Sequence, residues 1–234
     1  MSIEQVKINN QRIYDAGKQT EYDTFWDTFQ SNGTRVNYGN AFGGVGWTDT
    51  LFKPKYDICP TDGYMMFRGT GITNIADLSV SLDFANTTNF QYMFQWASVR
   101  HIGTIDTRKA TNVSNPFYYA TVLETIDKLI LKDDGTQNLD SNIFGNTNAL
   151  KNIIIEGKIG KSVNFQWSTK LSTASIVSVI ESLLDNPTGN LTVTLSQTAI
   201  NNMVFPFTSE KTGITYNSWS ELENTKDKWT ISLV

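Results

Sequence analysis

The chain holds one histidine, His101, and one cysteine, Cys59, in 234 residues. That scarcity bounds the chemistry it can carry. A structural zinc site of the usual Cys/His kind takes four such ligands, so none can be built within the chain. A Cys–His or Ser–His–Asp set needs a base beside its nucleophile and a carboxylate behind the base. His101 stands between Val99 and Ile102 and reads as a polar position of a repeating pattern. Cys59 precedes Pro60 and reads as a turn residue. Asp133-Asp134-Gly135, with Asn138 and Asp140 after it, offers oxygens but lacks the spacing and closing Glu of a calcium loop. Asp23 and Asp27, four apart, share one helical face and do not oppose each other across a cleft as glycosidase carboxylates do. Gly43-Gly44-Val45-Gly46 is followed by no helix of a parallel-sheet unit, so no phosphate cradle is expected. Asn32, Asn86, Asn112 and Asn190 open N-x-S/T triplets, which need no glycan in a chain this rich in Asn and Thr. The expectation is a non-enzyme with no catalytic residue, no metal ligand and no cofactor.

What does recur is aromatic. Phe42, Phe67, Phe94, Phe117, Phe144 and Phe165 are separated by 25, 27, 23, 27 and 21 residues. With one gap, FRGT-GITNI (67–75), FQWA-SVRHI (94–102), FYYATVLETI (117–126) and FGNTNALKNI (144–153) align in four columns. After the phenylalanines come small residues (Thr70, Ala97, Ala120, Thr147), then aliphatic ones (Ile72, Val99, Leu123, Leu150), then Ile75, Ile102, Ile126 and Ile153. Phe165, Ser168 and Leu171 continue three of the columns. A period of this length is the signature of stacked units that bury a shared core. Two residues after each phenylalanine the series reads Gly69, Trp96, Tyr119, Asn146, Trp167. If the flanking columns point inward, this one points outward. Trp96, Tyr119 and Trp167 are therefore the candidate binding residues, since aromatic faces beside polar groups suit sugar rings or a protein partner.

The pairs Met66-Phe67 and Met93-Phe94, with the small and aliphatic columns behind them, resemble BspA-type bacterial leucine-rich repeats. They also resemble the Met-Phe surface-protein relatives of those repeats, in which the small residue is often Cys. LDFANTTNFQYMF (82–94) and IDTRKATNVSNPF (105–117) resemble one half of that repeat. Residues 14–58 and 149–234 resemble the opening and closing segments of such proteins in phages and prophages of gut Firmicutes. The resemblance implies an α+β repeat solenoid: a leucine-rich-repeat-like coil with short parallel strands, an N-terminal helix and a C-terminal α/β capping module. It also implies a phage virion, or the cytoplasm of a prophage host, as the setting.

The elements that must hold these residues follow from pattern. Residues 4–31 are read as helical, from Tyr14, Gly17, Glu21, Phe25, Trp26 and Phe29, with Asn32-Gly33 as the stop. Short strands are expected near 75–80, 102–106, 126–131 and 153–156. Ser172 is expected to cap a helix whose apolar face is Ile176, Val179, Ile180, Leu183 and Leu184, broken at Asn186-Pro187. LTVTL (191–195) and WTISLV (229–234) read as strands, and SWSELENTK (218–226) as a helix. The expected division is 1–37, N-terminal helix and cap; 38–165, coil; 166–234, C-terminal module. The net charge of −4 and the scattered Lys and Arg argue against a nucleic-acid partner. No apolar run is long enough for a membrane helix. MSIEQVKINNQ carries no signal-peptide core. The chain is expected to be a recognition module touching a host-surface glycan or protein. The alternative is a purely structural virion part, attached or oligomerised through its N-terminal helix.

Overall fold

Val6, Ile8 and Ile13 alternate with polar neighbours, and that period of two builds a hairpin. β1 (Gln5–Ile8) pairs antiparallel with β2 (Gln11–Asp15), with a register shift between Val6 and Lys7. The computed structural model describes residues 5–8, 11–15 and 19–234, with side chains from residue 23 onward. α1 follows as Gln19–Phe29. The helix expected over 4–31 is thus corrected. Alternation outweighs helical spacing in its first half, Tyr14 falls in β2, and Gly17 lies outside the described residues.

α1 is fixed by its aromatic face. Trp26 is buried, with its ring 5.9 Å from Trp47 and 6.2 Å from Phe42, and Phe29 lies 5.5 Å from Phe42. Gln30 clamps the neighbouring loop. Its side-chain oxygen accepts the N–H groups of Lys55 and Tyr56 at 2.8 and 3.0 Å, and its amide donates to Tyr56 O at 2.8 Å. Phe25, Trp26 and Phe29 thus pack on aromatic rings of the same chain.

From residue 37 to 100 the chain is bound by turns and single bridges rather than strands. Asn37, Asp62, Asn89 and Asn112 each accept the N–H two residues on, at 2.9 to 3.1 Å, which closes a turn with the side chain. The same four residues bridge one another in parallel. Five residues after each comes a buried phenylalanine. These rings stack along the core: Phe67–Phe94 at 5.3 Å, Phe94–Phe117 at 5.9 Å, Phe117–Phe144 at 5.6 Å and Phe144–Phe165 at 4.4 Å, all within 19° of parallel. Burying one such ring contributes about 1.5–3 kcal/mol.

β3 (His101–Asp106), β4 (Thr125–Ile130) and β5 (Asn152–Glu156) form a parallel sheet in that order. Its register sets His101 opposite Thr125 and Thr125 opposite Asn152. The strand expected near 75–80 is absent. Asn74 makes one bridge to His101, then its side-chain oxygen accepts Ala76 N–H at 2.9 Å and turns the backbone away.

The outer edge of β5 meets α2 (Thr173–Ser182). Ser172 caps this helix, accepting Ser175 N–H at 3.3 Å. The serine face of α2 then takes the place of a further strand. Ser175 Oγ accepts Ile153 N–H at 2.9 Å, Ser178 Oγ accepts Ile155 N–H at 2.8 Å, and Ser182 Oγ donates to Ile155 O at 3.0 Å. The helix stops before Asn186-Pro187, because Leu183 turns extended and bridges Ile159.

A second parallel sheet, β10–β7–β6, comprises β6 (Val163–Phe165), β7 (Leu191–Leu195) and β10 (Trp229–Leu233). α3 (Gln197–Asn201), the short hairpin β8 (Phe207–Thr208) and β9 (Thr215–Tyr216), and α4 (Trp219–Glu223) connect them. The fold is α+β, with parallel sheets and few helices. One apolar cluster runs from Trp26 to Trp229. Among the described residues, no helix is long and apolar enough to cross a membrane.

Candidate recognition surface

The turn after each Asx residue carries left-handed backbone at two positions four apart. They are Asn40 and Gly44, Met65 and Gly69, Tyr92 and Trp96, and Asn115 and Tyr119, with Asn146 continuing the second series. The first four residues of the second series are each held by a backbone hydrogen bond to the neighbouring turn. Gly44 N–H donates to Arg68 O at 2.8 Å, Gly69 to Gln95 at 2.8 Å, Trp96 to Tyr118 at 3.3 Å and Tyr119 to Gly145 at 2.8 Å. Gly and Asn take this geometry readily, whereas Trp and Tyr do so rarely. At Trp96 φ is 56° and at Tyr119 it is 60°.

This geometry turns both rings out of the core. Phe94 and Ala97 on either side of Trp96 are buried, as are Phe117 and Ala120 around Tyr119, while Trp96 is 51% exposed and Tyr119 40%. The two rings meet edge to face, 6.5 Å apart at 62°. Arg68 lies over Trp96, its guanidinium carbon 4.6 Å from the ring centroid. Gln95 holds it there, its side-chain oxygen accepting from Arg68 Nε at 2.8 Å. Tyr118 packs 4.7 Å from Tyr119 on the other side. It fits because residue 145 is glycine: a Cβ there would stand 2.6 Å from the Tyr118 ring. The result is an aromatic step bordered by a fixed guanidinium.

Of the three expected residues, Trp96 and Tyr119 come together. Trp167 does not share their backbone geometry and is half-buried. The half-buried, non-aromatic Asn146 separates it from Tyr119 in the series. Arg68, Gln95 and Tyr118 were not foreseen. The signal for the turn lay in Gly44, Gly69 and Asn146, which are the residue types that left-handed backbone selects.

The other residues with possible chemistry are accounted for locally. His101 Nε2 lies 2.7 Å from Asp127 Oδ1, and both side chains are open to solvent. Burial pushes the Cys59 thiol up, and the Asp83 and Asp57 carboxylates add to the effect, which leaves it protonated and a poor nucleophile. Asp134 accepts both Thr136 N–H at 2.9 Å and Thr136 Oγ at 2.7 Å, closing a turn around Gly135. Asp27 is held below the ordinary carboxylate range by hydrogen bonds from Lys55 and then Tyr56.

Compared with family models, with curated proteins and with solved structures, the chain matches none.

Proposed function

We propose that this chain is a non-catalytic recognition module of the BspA-like leucine-rich-repeat kind. In this reading it is a phage- or prophage-encoded surface or tail-associated protein whose Trp96–Tyr119 step contacts a host-surface glycan. The solenoid reading draws support from the stacked phenylalanines and from the parallel bridges at intervals of 23 to 27 residues. The observation that carries the binding reading is the pair of outward rings on left-handed backbone. Two aromatic faces meeting at an angle fit the apolar face of a pyranose. Arg68 beside them, held by the buried Gln95, supplies a planar hydrogen-bonding group for its hydroxyls. Single contacts of this type are weak, and many copies on a particle add avidity.

The test is a glycan array and a whole-cell binding assay with the wild type and with a Trp96→Ser/Tyr119→Ser double variant. The expected outcome is that the wild type binds a defined set of glycans and the folded double variant loses them. A folded double variant that binds cells as the wild type does overturns the reading. A wild type with no glycan or cell binding leaves the purely structural virion role.

A further inference from the structure

The cavity that opens between α2 and the β8–β9 hairpin lies apart from the aromatic step and is independent of the glycan reading. Its volume is about 400 Å³, and its walls include Ile154, Val177 and Phe207. That is the size range and apolar lining of small-molecule sites. Ile154 is itself 39% exposed, an isoleucine on the open face of β5 with no side chain covering it fully.

The polar groups around the cavity differ in what they have left to give. Glu181 is buried and accepts three hydrogen bonds: from Ser209 Oγ at 2.8 Å, Thr212 Oγ at 2.7 Å and Tyr216 OH at 3.0 Å. Glu156 is paired with Lys128 at 2.7 Å. Ser178 Oγ accepts Ile155 N–H, and its own O–H has no acceptor among the described residues. Lys211 reaches under the hairpin to two neutral oxygens, Ile155 O at 3.1 Å and Ser182 Oγ at 2.8 Å. No carboxylate lies within ion-pair distance of its ammonium among the described residues. Three N–H groups against two acceptors leave one donor over. The Lys211 ammonium and the Ser178 hydroxyl therefore each keep a donor to offer, and Glu181 and Glu156 act on that ammonium only from beyond ion-pair distance.

We propose that this cavity binds an amphipathic carboxylate, an acyl anion whose head group meets Lys211 and Ser178 and whose chain lies along Ile154, Val177 and Phe207. A carboxylate offers the acceptors that both donors lack and neutralises the ammonium in a site partly withdrawn from water. Desolvation holds the Lys211 amine below its ordinary value and Lys158 adds to this, while Glu181 opposes it; an anion meeting the ammonium directly favours its charged form. Glu210, exposed at the rim, selects against a second negative charge on the ligand.

Isothermal titration with octanoate, octanol and octylamine tests this on the full chain. Octanoate is expected to bind the wild type at least tenfold more tightly than either of the others. Lys211→Met should weaken octanoate at least tenfold and leave octanol unchanged. Lys211→Arg should retain most of the affinity. Ala174→Phe, which fills the cavity from its half-exposed wall, should abolish binding with the circular dichroism spectrum unchanged. If Lys211→Met does not fold, the octanoate-to-octanol ratio in the wild type decides. No octanoate binding to the wild type, tighter binding of octylamine, or an unchanged octanoate affinity in folded Lys211→Met overturns the proposal.

Discussion

Trp96 and Tyr119 spend conformational energy to face outward. Left-handed backbone costs an ordinary L-residue about 1–2 kcal/mol, and Asn is among the few that escape much of it. Asn146 and Gly69 occupy the same place in the series and avoid the cost. Replacing Trp96 by Asn is therefore expected to leave the melting temperature at or above that of the wild type while removing half of the aromatic step. Thermal denaturation checks the first part and glycan binding the second. A loss of several kcal/mol would mean that the indole packs as core and is not a presented ring. The outward column was legible because its residues alternate with buried ones at Phe94, Ala97, Phe117 and Ala120. Its partners were not. Arg68 sits one turn earlier, and its placement over Trp96 depends on a bond to Gln95 that no spacing rule contains. Trp167 was drawn into the set by its position in sequence, but backbone geometry leaves it out.

Helix α2 shows how a pattern can be read correctly and still conceal its main task. Its apolar residues Ile176, Val179 and Ile180 are buried, as their spacing required. The serines between them have no part in that apolar pattern. Ser175, Ser178 and Ser182 lie three and four apart, which sets them on one face, and that face satisfies the backbone of β5. An uncovered strand edge invites pairing with another chain, and here a helix covers it. Ser178→Ala should strand the buried N–H of Ile155, at a cost of about 1–3 kcal/mol. Urea denaturation measures it, and a shift in midpoint without a change in slope is the expected form. A variant as stable as the wild type would show that the Ile155 N–H finds another partner. The hairpin β1–β2 and the missing strand near 75–80 were misread for a related reason. In both, a local signal, strand alternation in one and an Asx turn in the other, prevailed over a longer-range pattern.

Across the molecule, the buried rings form one continuous run with a different closure at each end. At the C-terminal side the closure is polar: serine hydroxyls and the Lys211 ammonium meet β5, Lys226 donates to Leu183 O at 2.8 Å, and Trp229 Nε1 to Leu184 O at 2.8 Å. At the N-terminal side it is aromatic. Phe25, Trp26 and Phe29 lie against Phe42, Trp47 and Phe52, and Arg35 covers Phe29 at 4.2 Å. The aromatic surplus of α1 was plain in the sequence; its direction was not, because a helix pattern gives the face and not the neighbour. Two rings of this kind contribute about 1.5–3 kcal/mol each when buried, a large share of an ordinary domain's net stability. Removing residues 1–31 is therefore expected to uncover Tyr38, Phe42 and Trp47, lower the melting temperature and expose surface that binds a hydrophobic dye. The shortened chain should also self-associate, which light scattering would detect. A shortened chain that stays monomeric, binds no dye and melts with the wild type would show that the core needs no cover at this end. The aromatic face of α1 would then again require a partner outside the chain.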